Sequence, residues 1–150
     1  MRCRLLRVLY TTRCRVEAAY SFSPCKILSS ADELLYELVV KNVFVLTINI
    51  AGLVLKEGTT TETLWTDHND FARSIADEVI EVQEWLSGAA FQRMRLIDGL
   101  AEGVYGDPQH KCRGRAAQGR LTRLLDAADE AGLDIPRIRE LQARLMRNEH

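Results

Sequence analysis

Residues 42–55, "NVFVLTINIAGLVL", run for fourteen positions without a charged side chain. No other feature limits the fold as strongly, because a stretch this apolar must be shielded from water on most sides. It falls short of the roughly 20 residues a membrane-spanning helix needs, and Asn42, Thr47, Asn49 and Gly52 interrupt it. Burial inside a domain is the expectation, with no membrane involved. Phe44, Leu46, Ile48 and Ile50 alternate with Val43, Val45, Thr47 and Asn49. That alternation predicts a strand with one apolar and one mixed face. Ala51-Gly52 then turns the chain into "LVLKE", completing a β-hairpin.

Just upstream, "SSADELLYELVVKN" carries a capping-box pair, Ser30 and Glu33, ahead of Leu34, Leu35, Leu38 and Val39 at helical spacing. A short helix over residues 31–41 follows. The runs "RLLRVLYTT" and "RVEAAYSF" within residues 4–22 are β-compatible and predict one or two strands. The Thr-rich "GTTTETLWT" reads as a linker or exposed loop.

Beyond residue 66 the pattern is helical. Thr66 or Asp67 can cap a helix that Ser87-Gly88 ends near Leu86, and "AAFQRMRLIDGLAEG" forms a second that closes at Gly103. After a loop, "VYGDPQHKCRG", two further helices pair as a hairpin. Gly132 stops the first, Asp134 caps the second and Pro136 occupies its opening turn. The fold class expected is therefore α+β in one domain, residues 1–150. A small strand–helix–β-hairpin unit (residues 1–62) packs on a predominantly helical part (residues 63–150) of about four helices.

A chain of 150 residues with 47% hydrophobic and 27% charged residues is globular in composition. The net charge of −1 conceals a separation of charge. Residues 1–28 hold six basic side chains and one acidic, and residues 29–104 hold five basic and thirteen acidic. Residues 105–150 return to nine basic against seven acidic. Distinct acidic and basic faces follow, which bears on partners. Arg7 interrupts the apolar part of the basic opening, so no secretory signal is expected and the cytoplasm is the expected location. The four cysteines form no C-x-x-C pair and are expected to be reduced.

Two segments carry candidate functional residues. In "IADEVIEVQEWL" and the residues before it, Phe71, Ile75, Val79, Val82 and Leu86 share one helical face. Asp70, Asp77, Glu81 and Glu84 lie almost opposite, with Glu78 on the flank. Carboxylates at three- and four-residue steps stand roughly 5–6 Å apart and can imitate phosphates. The first functional reading is accordingly a non-enzymatic binding or regulatory protein: an inhibitor that presents a nucleic-acid mimic to a protein partner with a basic surface. On that reading Asp70, Asp77, Glu78, Glu81 and Glu84 bind the partner. Changing Asp77, Glu81 and Glu84 to Lys should then abolish binding and leave stability nearly untouched.

The second reading places function at the other end. Ala128, Gly132 and Ile138 have the spacing of a DNA-binding helix-turn-helix, and "KCRGRAAQGRLTR" adds five cations without an acid. Lys111, Arg113, Arg115, Arg137, Arg139 and Arg144 would then contact nucleic acid, with Ile135 left facing solvent. A metal-dependent hydrolase comes third, with Glu78, Glu81 and Asp98 as its groups. Glu78-x-x-Glu81 and Glu81-x-x-Glu84 invite comparison with the all-α nucleotide pyrophosphatases. Those enzymes hold magnesium on paired acidic motifs from two helices and need a second pair of the E-x-x-D kind, where this chain offers only Asp98 and Glu102. No cofactor or metal site is expected, and no nucleophile elbow, phosphate-binding glycine loop or dinucleotide fingerprint is present.

Overall fold

A computed structural model describes residues 29–148 and places the uncharged run inside a helix. The helices are α1 (Ala31–Val54), α2 (Thr61–Asp67), α3 (Asn69–Ser87), α4 (Arg93–Gly106), α5 (Ala117–Ala131) and α6 (Pro136–Asn148). No strand occurs among the described residues, and one isolated bridge joins Thr60 to Lys111. The α+β expectation is thus corrected to an all-helical fold. The strands expected within residues 4–22 lie outside the described residues.

The correction has a physical cause. Helix α1 starts where the capping pair predicts: Ser30 Oγ accepts the Glu33 N–H at 3.1 Å, and the Glu33 carboxylate accepts the Ser29 N–H at 2.7 Å. Nothing then breaks it at residue 41, so it continues for 24 residues. The alternation that suggests a strand arises because nearly every position from 43 to 54 is apolar. A segment apolar all round is equally a central helix. Helix α1 packs against all five of the others and occupies the middle of the bundle. Val39, Val43, Ile48, Ile50 and Ala51 are essentially inaccessible to water. By length and composition α1 could also cross a membrane, and half of its most apolar window is buried inside the protein.

Close approach sets how α4 lies on α1. Gly99 and Gly103 are one turn apart, and a Cβ at either would sit 2.7 Å from Val40 Cγ1 or Phe44 Cδ2 respectively. The two helices touch through these glycines, so larger residues would push them apart. On α3, Ala72, Ile75, Ala76, Val79, Ile80 and Val82 form the buried stripe; of the five residues the sequence assigns to it, Ile75, Val79 and Val82 are buried and Phe71 and Leu86 are half-buried at its edges. Gln83 is buried among them and accepts from Asn42 Nδ2 of α1 at 3.0 Å, so its amide is not left unpaired.

The Thr-rich segment is not a loop. Thr60 caps α2, accepting from the Thr63 N–H. The segment after α4 satisfies that helix's remaining end: Thr61 N–H donates to the His110 carbonyl at 2.8 Å and Glu62 N–H to the Pro108 carbonyl at 3.0 Å. Cys112 N–H donates back to the Thr59 carbonyl. Gly88 and Gly132 both adopt the left-handed conformation that ends a helix, where the sequence places them. All six helices contribute to one core.

Candidate functional site

The acidic residues of α3 lie near the faces the wheel assigns, and most of them have work inside the molecule. Asp77 pairs with Arg93 Nη1 of α4 at 2.7 Å, and Arg93 Nη2 stands 3.6 Å from Glu81. The hydrogen bond that Arg93 donates to Asp77 raises the Arg93 pKa; burial opposes this, and the charges of Asp77, Glu81 and Glu84 add to it. Glu84 Oε1 accepts the Phe91 N–H at 2.9 Å and so ties down the α3–α4 turn. Glu78 reaches furthest. Its two oxygens accept the N–H groups of Arg137 and Ile138, each at 2.8 Å, at the start of α6. The cap that the sequence assigns to Asp134 is thus supplied by Glu78, a carboxylate on another helix. Asp70 is exposed and makes no such contact among the described residues.

The groups of the metal reading do not converge. Glu78 serves α6, Glu81 faces Arg93, and Asp98 lines a shallow groove of about 310 Å3 between α1 and α4 with Tyr36, Glu37, Val40, Arg95 and Glu102. Among the described residues no three His, Cys, Asp or Glu side chains gather as a metal site would require.

The α5–α6 hairpin forms with Gly132 at its corner, and Ala128, Ile138 and Leu141 are fully buried. Ile135 is also fully buried, which corrects its expected solvent position. Two of the four α6 arginines are paired. Arg137 bonds Glu140 at 2.8 Å and lies over the Phe71 ring, and Arg139 meets Asp129 of α5 at 2.5 Å. Arg144 is exposed.

A different set of cations is left open. Lys111, Arg113 and Arg115 are exposed on the segment that leads into α5, and Arg123 is exposed nearly two turns into the helix. None of the four has an acidic partner among the described residues. Arg120 lies between them, half-buried, with Nη1 donating to Asn49 Oδ1 of α1 at 2.6 Å. The start of α5 has no side-chain cap and no acid in its first turn. Asp126, Asp129 and Glu130 occupy its second half instead. A helix dipole favours anions at the N-terminus and cations at the C-terminus. Charge on α5 is arranged the other way, with Arg120 in its first turn, no acid there, and its acids in the second half.

Sequence reasoning names Lys111, Arg113 and Arg115 as contacts and counts Arg120 and Arg123 among the five cations of the stretch, but it gives Asn49 no role and assigns Gly52 to a turn. The signal for the last two is present: an amide and a glycine three apart in an otherwise apolar run. Gly52 is seated against the basic segment, where a Cβ would lie 2.5 Å from the Arg113 nitrogen. Cys112, between Lys111 and Arg113, is fully buried, and desolvation pushes its thiol up from 9.0 to about 11. That keeps it neutral and a poor nucleophile near neutral pH. Comparison with protein-family models, with curated proteins and with solved structures returns no match.

Proposed function

We propose that this chain is a non-enzymatic nucleic-acid-binding protein that grips phosphates with residues 111–116 and the first half of α5. One observation carries the reading: Lys111, Arg113, Arg115 and Arg123 are exposed without acidic partners at a helix end whose dipole also attracts anions. Local charge that opposes the helix dipole lowers stability, and such conflicts concentrate at functional surfaces. Asp77, Glu78, Glu81 and Glu84 of α3, by contrast, already have partners in Arg93, Phe91 and α6. Contacts of this kind read the phosphate backbone and confer little sequence preference.

The test is a salt titration. Anisotropy of a labelled duplex and of a labelled single strand should fall with salt, with a log–log slope of about −3 to −5 for the four or five phosphate contacts these cations make. Changing Arg113, Arg115 and Arg123 together to Gln should reduce that slope by about 3 and leave the melting temperature nearly unchanged. Absence of binding to either strand form at about 50 mM salt would refute the proposal. So would an equal preference for vesicles of anionic lipid, which would make the surface a membrane contact.

A further inference from the structure

From the same geometry we infer that Asn49 and Gly52, inside the central helix, are positioning residues that hold the basic segment in its binding conformation. The inference rests on the nucleic-acid reading and adds what organises the surface. Asn49 and Gly52 are three apart on α1 and so share a face. Both meet the same short segment. Asn49 Nδ2 donates to the Cys112 carbonyl at 3.2 Å, and its Oδ1 accepts from Arg120 at 2.6 Å. At Gly52 the segment's backbone comes so near that a Cβ would stand 2.5 Å from the Arg113 nitrogen and 2.6 Å from the Cys112 carbonyl carbon. On the segment's side, a Cβ at Gly114 would stand 3.2 Å from Asn49 Oδ1. Residues 112–114 are therefore held against α1 by one amide and one missing side chain.

Packing alone would be served better by Leu at position 49, since a buried amide must find partners for both its ends. Here both ends are used on the basic surface: one fixes the backbone between Lys111 and Arg113, the other fixes the guanidinium of Arg120. Arginine loses rotamer freedom when it binds phosphate, and a side chain already held loses less. Asn49 thus acts on affinity through Arg120 and the segment, without contacting the ligand.

The experiment measures duplex affinity, salt slope and backbone hydrogen exchange for Asn49→Leu, Gly52→Ala and Asn49→Asp in the full chain. All are studied well below their melting temperatures. For Asn49→Leu and Gly52→Ala, affinity should drop about fivefold, as expected when one or two long side chains must be ordered on binding. Amides of residues 113–115 should exchange faster in both, and in Asn49→Leu, which frees Arg120, the salt slope should also shrink by about 1. Asn49→Asp keeps an acceptor for Arg120 but loses the donor to Cys112, so its segment should loosen while its slope stays closer to the parent's. Folded variants that bind and exchange like the parent would overturn this inference and leave the nucleic-acid reading standing. A parent protein that binds no nucleic acid would overturn both. If Asn49→Leu fails to fold, Gly52→Ala and Asn49→Asp decide, because each disturbs a different one of the two anchors.

Discussion

Removing the carboxylate of Glu78 tests how the last helix is held. Its two oxygens accept the Arg137 and Ile138 N–H groups at 2.8 Å each, and these are among the donors that an α-helix leaves without internal partners. Losing an N-cap acceptor costs about 1 kcal/mol, within a range of about 0.5–2. The attraction between a carboxylate and the helix dipole adds about 0.3–1 kcal/mol, more when partly buried. Glu78→Ala should therefore destabilise the protein by about 2 kcal/mol. For a chain of this size that is a fall in melting temperature of about 4–8 °C. Glu78→Gln keeps one acceptor oxygen and loses the charge, so it should fall about halfway. Urea unfolding followed by the fluorescence of Trp65 and Trp85 gives the magnitude, and hydrogen exchange gives the place. Protection should be lost first in the opening turn of α6, some sixty residues from the substitution. A change below about 0.5 kcal/mol, or exchange that rises around α3 and not in α6, would refute the reasoning.

Changing Asp77, Glu81 and Glu84 together to Lys should lower stability by about 1–2 kcal/mol, contrary to the expectation from the helical wheel. Arg93 would then face like charges and Phe91 would lose its acceptor, and a chemical melt reads the sum. Cys112 should resist alkylation at pH 8 in the native protein and react on unfolding, as peptide mapping would show. Its thiol pKa is raised from 9.0 to about 11 in the folded state. Its contribution to stability is therefore full below about pH 9 and declines as pH rises toward 11. Cys112→Ala should flatten that decline.

Some helix ends were legible in the sequence because they depend on a few adjacent residues. Ser30 with Glu33 starts α1, Gly88 ends α3, and Gly132 with Pro136 makes the α5–α6 corner. The buried stripe of α3 was legible for the same reason, since one helix with one wet side shows its period. The cation cluster from Lys111 to Arg123 stands out as charge without acid. What lay inside the uncharged run did not. Residues 43–54 are apolar in every direction, so no period separates a strand from a central helix, and only the five helices packed around them decide. Tertiary structure also decided what the polar groups do. Glu78 finds its donors on α6, about sixty positions along the chain, and Asn49 finds Arg120 about seventy positions along. A carboxylate on a wheel is merely opposite the core; whether it meets water, a partner or a helix end depends on which chain segment the fold brings to it.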